Sequence, residues 1–203
     1  MDKPGRLKDE AISRRLERSF YARDAETVAR ELIGALLVRA TPRGAQAGLV
    51  VETEAYLGPH DLAAHSSKGR TPRNAVMFGP PGHAYVYMIY GIHHCLNAVT
   101  DVEGHAAAVL IRALEPVAGI ETSTQGPGLL CRALGIDRAH NGLDLTRDEL
   151  FFAAKNSAEP LEIVAAPRIG VDYAGAWAAL PLRFYVRGNP FVSRKERTRR
   201  PKS

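Results

Sequence analysis

Three features of the chain predict a single α+β domain built on a mostly antiparallel sheet with flanking helices. Its 203 residues are 45% hydrophobic, which suffices for one substantial core and is too little for two large ones. Short runs rich in β-branched and aromatic residues, at 49–56, 85–90 and 106–113, are joined by connections that suit antiparallel pairing. Two helical patterns flank these runs, one after Asp24 and one after the Gly126-Pro127-Gly128 turn.

The elements follow in order. Residues 1–15 are polar and charged and read as a flexible lead-in, at most marginally helical. Asp24 can cap a helix starting at Ala25, with Val28 and Leu32 four apart and Leu36 extending the stripe. Gly34 ends or weakens it. The run 36–40 reads as a strand, turned at Pro42–Gly44. In the strand 49–56, alternation places Glu52, Glu54 and Tyr56 on one face. Residues 57–83 are rich in Gly, Pro, Ser and Asn and form a long loop, with a short helix near Leu62–His65. A loop of that length in a compact domain usually has a function. Tyr85 and Tyr87 share a face of the next strand, which breaks at Tyr90-Gly91 and returns over 94–99. The strand at 106–113 ends near Arg112, and later strands are expected at 161–164 and 182–186. The domain therefore spans 16–194, and the basic segment 195–203 reads as a disordered tail. No internal repeat is evident.

Composition narrows the function classes. The net charge is +5 and the isoelectric point about 9.4, a modest argument for a polyanionic partner. Cys95 and Cys131 lie in apolar surroundings and read as reduced core thiols. There is no CxxC pair, no His/Cys ligand spacing and too few cysteines for an iron–sulfur cluster, so no metal or organic cofactor is implied. The N-terminus lacks the apolar stretch of a secretory signal, and no run approaches the roughly 18 apolar residues of a membrane span. A soluble, cytoplasmic protein without membrane attachment is expected.

The segment from Val51 to Asn97 carries the chemistry. It gathers two carboxylates (Glu52, Glu54), four tyrosines (Tyr56, Tyr85, Tyr87, Tyr90), the polar candidates His65 and Asn97, and a basic loop at Arg70 and Arg73. A carboxylate beside flat aromatic walls and cationic anchors suits holding a nucleobase and cutting its bond to the sugar. Period-two geometry cannot separate Glu52 from Glu54, since both point the same way.

The blocks VETEAYLGP, AAHSS, TPRN, YVYMIYGIHHCLN, VLIRALEP, GPGLLCRALGI and LRFYVRGNPFVSR, in that order, resemble the mammalian-type alkyladenine (3-methyladenine) DNA glycosylases, which bacteria also possess. The likeness runs from about Thr27 to Arg194. It implies a curved sheet with a protruding β-hairpin that enters the minor groove. It also implies an enzyme that flips damaged purines from double-stranded DNA and hydrolyses the N-glycosidic bond. By this resemblance Glu54 activates the water, and Tyr56 and Tyr87 stack on the base. His65 completes the wall and donates a hydrogen bond, and Asn97 meets the purine edge. Tyr90 at the hairpin tip fills the gap left in the duplex. Arg112 contacts phosphate or orients the carboxylate. Arg70, Arg73 and Asn74 of the TPRN loop, together with Tyr85 and His93, complete the DNA-contacting set. No lysine falls in the matching blocks, so a water-using, monofunctional enzyme is implied, acting as a monomer near the nucleoid. N3-methyladenine is the expected substrate, with N7-methylguanine, hypoxanthine and ethenoadenine as alternatives. Two departures stand out. Ile92-His93-His94 follows the hairpin glycine where bulkier aromatics are usual, and His60 stands where acidic residues are usual. The adjacent histidines can read a base edge, contact phosphate or respond to pH. Two other functions compete: a non-catalytic binder of DNA damage, which the intact Glu54 argues against, and a different nucleic-acid transferase or hydrolase on a related fold.

Overall fold

One long strand organises the molecule. A computed structural model describes residues 9–154 and 160–193, and in it β2 (Gly44–Tyr56) is paired along both edges. On one edge it meets β5 (Ala107–Ala118). On the other, its first half pairs with β1 (Leu36–Thr41) and its second half, from Glu52 to Glu54, with β8 (Arg183–Val186). The sheet therefore forks at β2. Beyond β5 it continues through β4 (His93–Thr100) to β3 (Ala84–Ile89). Beyond β1 lies β6 (Leu150–Ala153), and beyond β8 lies β7 (Ile163–Ala166). Every pairing among these eight strands is antiparallel, and the sheet is strongly curled.

The register irregularities at Ala47/Gly48 and around Glu52 lie on β2, where bulges bend a strand and re-aim its side chains. At Gly48 the two strands approach so closely that an added Cβ would lie 3.0 Å from Leu114 Cβ. Three short helices, α1 (Arg18–Tyr21), α2 (Ala25–Glu31) and α3 (Pro127–Ala133), flank the sheet. Asp24 caps α2 through its side chain, which accepts from Thr27 N–H at 2.8 Å. Val28, Ala29 and Leu32 are buried in the main core with Ile111, Leu114 and Phe184. Thr53 Oγ donates to Ala29 O at 2.9 Å, pinning α2 onto β2.

The local differences from the sequence reading have physical causes. Leu36 opens β1 rather than extending the helical stripe, because Gly34 has already ended the helix with φ +85°. β2 and β5 run longer than their apolar runs, since backbone pairing carries Gly44–Gly48 and Leu114–Ala118 into the ladder. The short helices of the long loop are 3₁₀ turns at His65–Lys68 and Ala75–Phe78, shifted from Leu62–His65. β6 was not anticipated, and β7 begins two residues later than the apolar run at Leu161. Residues 9–15, expected in the lead-in, include a helical turn at 9–12, a fully buried Ala11 and a bridge from Arg15 to Ala153. Residues 1–8 and the expected tail lie outside the described residues.

Phe152 of β6 is wholly buried in the main core. Phe152→Ala is expected to lower the unfolding free energy by about 3–5 kcal/mol. The urea midpoint should fall at unchanged m-value.

Candidate active site

Where β2, β3, β4 and β5 curl together they leave a cavity of about 370 Å³. Its walls include Tyr56 from β2, Tyr85 and Tyr87 from β3, Asn97 from β4 and Arg112 from β5. His65 comes from the long loop, and Ile169 and Tyr173 come from the segment after β7. Most of the base-contacting candidates expected from the sequence are thus brought together around one space.

The two carboxylates of β2 are both fully buried, yet they are held differently. Glu52 Oε1 accepts from Arg112 Nε at 3.1 Å and from Arg183 Nη1 at 3.0 Å, and its Oε2 accepts from the Ser193 N–H at 2.7 Å. Glu52 is therefore saturated by a structural network. Glu54 Oε1 accepts from the Ile169 N–H at 2.7 Å, and Oε2 accepts from the Tyr56 hydroxyl at 3.0 Å. Arg112 Nη1 stands 3.2 Å from the same Oε2. Tyr56, Arg112 and Ile169 all line the cavity, so Glu54 lies directly behind its floor. Arg112 spans both glutamates and fixes their separation.

Electrostatics distinguish these groups further. Burial pushes the Glu54 carboxyl above its ordinary range, against the pull of Arg112, the Ile169 N–H and the Tyr56 hydroxyl. Burial alone would lower Arg112, but Glu54 and Glu52 outweigh it and raise it, so Arg112 is a fixed cation. Burial and then the Arg73 charge depress His65, leaving a neutral imidazole near neutral pH. Burial lifts the Cys95 thiol, in the same wall, to about 11.

The aromatic walls are mutually braced. His65 and Tyr87 have ring centroids 4.5 Å apart at 66°, and Tyr85 and Tyr87 lie 5.3 Å apart at 36°. His65 Nδ1 is 2.9 Å from the Tyr85 hydroxyl. Asn97 Nδ2 donates to Tyr85 O at 3.0 Å, which fixes the amide orientation at the cavity edge. Tyr85, expected among the DNA-contacting residues, is 1% exposed and belongs to this wall instead.

The other expected DNA-facing residues divide. Tyr90 is 89% exposed at the β3–β4 turn. Tyr90 and Gly91 both have positive φ, +52° and +72°, as a type I′ turn requires, and Ile92 is exposed beside them. Arg70 and Arg73 are exposed, and Arg73 Nη2 donates to Met88 O at 3.0 Å, tying the loop to the hairpin. Asn74 is turned inward: it is 4% exposed, and its amide donates to His65 O and Gly69 O while accepting from Thr71 N–H. That closes the TPRN turn and leaves no amide group for a partner. His93 packs against Gly128 at the start of α3, where an added Cβ would lie 3.0 Å from its side chain.

Four contributors to this site escaped the sequence reading. Asp61 and Arg168 form a fully buried ion pair behind Tyr56, Arg183 holds Glu52, and Tyr173 stands at the cavity with 71% exposure. The Ile169 contribution is a backbone N–H, which no side-chain pattern signals.

The family model Methylpurine-DNA glycosylase (MPG) matches residues 19–190. The chain is 56% identical over 182 residues to a protein of Anaeromyxobacter dehalogenans (strain 2CP-1), covering 89% of this chain and 86% of that one. It is 55% identical to a protein of Myxococcus xanthus (strain DK1622), over 88% and 93% of the two chains. It is 52% identical to one of Legionella pneumophila (strain Corby), over 89% and 99%. Each of these relatives is named "Putative 3-methyladenine DNA glycosylase".

The raised Glu54 carboxyl has a signed consequence for stability. Between the ordinary glutamate pKa and the raised one, the folded state binds more protons than the unfolded state, so this group's contribution falls as pH rises through that window. Glu54→Gln should flatten the dependence, which urea midpoints collected across the window will measure.

Proposed function

The chain belongs to the methylpurine-DNA glycosylase family, and from that premise we propose that it excises 3-methyladenine and related damaged purines from duplex DNA. The reaction is hydrolysis of the N-glycosidic bond, with a water molecule as nucleophile and an abasic site as product. The observation that carries the mechanism is Glu54, fully buried and ion-paired to Arg112 directly behind a tyrosine-walled cavity.

In this reading the damaged nucleotide leaves the stack and its purine enters between Tyr56 and the Tyr87–His65 wall. Tyr90, presented by the I′ turn, takes the vacated place in the duplex and recovers part of the lost stacking. If the Tyr85 hydroxyl donates to His65 Nδ1, the imidazole carries its proton on Nε2 and can donate to the purine. The immobilised Asn97 amide opposes the exocyclic amino group of normal guanine, which selects against undamaged bases.

Bond cleavage develops positive charge on the sugar, and a buried carboxylate nearby stabilises it. Glu54 takes a proton from the attacking water, the oxygen bonds to C1′, and the C1′–N electron pair leaves with the purine. Alkylation places positive charge on the base, so the departing group becomes neutral. Arg112 keeps the Glu54 oxygens in position. Among the described residues the only lysine, Lys68, is exposed and does not line the cavity, which supports water rather than an amine as nucleophile. Exposed Arg70 and Arg73 supply backbone anchors, and a salt-sensitive affinity follows from phosphate contacts.

Duplexes carrying hypoxanthine, or alkylated DNA, should acquire alkali-labile sites when incubated with the protein. Binding without such breaks would instead assign a damage binder. Glu54→Gln should lower the single-turnover rate by about 10²-fold or more while retaining binding. A full-rate Gln variant would remove Glu54 from the mechanism. The parent's pH–rate profile should show an acid limb centred above the ordinary glutamate pKa of 4.5, because burial raises the Glu54 carboxyl. Tyr90→Ala should weaken binding to lesion duplexes and slow excision, read from titrations and single-turnover rates together.

A further inference from the structure

We propose that the Asp61–Arg168 pair is the positioning device of this pocket, setting Glu54, Tyr56 and the loop that carries His65 in one geometry. The inference rests on the reading of Glu54 as general base.

Arg168 makes four hydrogen bonds from a fully buried side chain. Nη1 donates to Asp61 Oδ2 at 2.5 Å and to Ala55 O at 2.9 Å, while Nη2 donates to Asp61 Oδ1 at 2.9 Å and to Trp177 O at 3.3 Å. Ala55 lies between Glu54 and Tyr56, so the guanidinium grips β2 at the centre of the proposed machinery. It also stacks on the Tyr56 ring, with Cζ 4.8 Å from the centroid. Tyr56 lines the cavity and Arg168 does not, so the guanidinium backs the ring and leaves its other face to a base. The residue after Arg168 is Ile169, whose N–H holds Glu54 Oε1. Holding Arg168 therefore holds that N–H.

Asp61 serves the other side. It accepts from the Leu57 N–H at 3.1 Å and from the Ala63 N–H at 3.0 Å, which closes the turn leading to His65. The pair thus joins the end of β2, the start of the long loop and the segment after β7. Arg168 Nε is buried without a partner, so the guanidinium is not placed to satisfy all of its own donors. A buried ion pair adds little net stability, because desolvation offsets the attraction; a bidentate pair with two backbone grips does impose one geometry.

The groups around Glu54 make the effect measurable. They are Arg112 of β5, Tyr56 and Glu52 of β2, and the Ile169 N–H, with Tyr87 of β3, Cys95 of β4 and Tyr173 also feeling its charge. Loosening Arg168 frees only the Ile169 N–H directly and weakens the backing of Tyr56. The N–H lowers the Glu54 pKa, so losing it moves the carboxyl further up.

The test is single-turnover excision of hypoxanthine from a duplex across pH, with Kd for the same duplex and urea unfolding measured in parallel. Arg168→Lys retains the charge but not the bidentate plane. The double variant Asp61→Leu/Arg168→Met replaces the pair with apolar volume, a change that buried ion pairs often tolerate. Both should fold, bind the duplex within about threefold of the parent, and lose about 10–100-fold in rate, as misplacement near a reacting centre does. Their acid limbs should move to higher pH. An unchanged acid limb, with rate loss no larger than the loss of folded fraction, would reduce the pair to a structural contact. Glu54→Gln in the same series separates the two readings. Parent activity abolished by Glu54→Gln keeps the base assignment, and the pair variants then decide the clamp. A Gln variant as fast as the parent overturns both.

Discussion

The structure is governed by two carboxylates buried side by side on its central strand. Glu52 and Glu54 lie two residues apart on the central strand, and both are wholly buried. An isolated buried charge is costly, so every neighbouring element must contribute a donor or a cation. β5 contributes Arg112, β8 contributes Arg183, and the segment after β7 contributes the Ile169 N–H. The fork of the sheet at β2 makes this possible. Because β8 takes over from β1 along the half of β2 that carries the glutamates, Arg183 can reach Glu52 from the opposite side to Arg112.

The two carboxylates differ in what their surroundings leave available. Glu52 is enclosed by two guanidinium groups and a backbone donor, and its task is to hold Arg112 still. Glu54 has one guanidinium, one phenol and one backbone donor, all belonging to residues that also face the cavity. The same arginine therefore links a structural carboxylate to one poised behind an open space. Identical chemistry at alternate positions acquires different roles through the partners that the tertiary fold delivers.

Much of the local architecture was legible in the sequence. Asp24 before an amphipathic run announced its helix, the alternation along 49–56 put both glutamates on a face with Tyr56, and Tyr90-Gly91 marked the turn that now exposes the tyrosine. These signals are local, and the physics behind them is local too. The choice between Glu52 and Glu54 was beyond period-two reasoning, because it depends on Arg183 and Ser193, more than a hundred residues away. Asp61 and Arg168 carry no local signal, since their pairing spans 107 positions. Asn74 and Tyr85 carried side chains fit for DNA contact, but burial turned both inward. Strand β6 is four residues long and has no alternation to reveal it; its membership comes from pairing with β1.

The reach of the Asp61–Arg168 link has a consequence for biosynthesis. Bringing its ends together requires closure of a long chain segment, an entropic cost that must be met before the contact rewards it. During translation, β2 and the tyrosine walls emerge well before Ile169 and Arg183. A nascent chain at that stage holds its acidic strand without the late donors that orient it. The donor set around Glu52 and Glu54 is completed only when residues 168–193 have left the ribosome and docked, so a truncated product would carry the aromatic cavity without a set carboxylate.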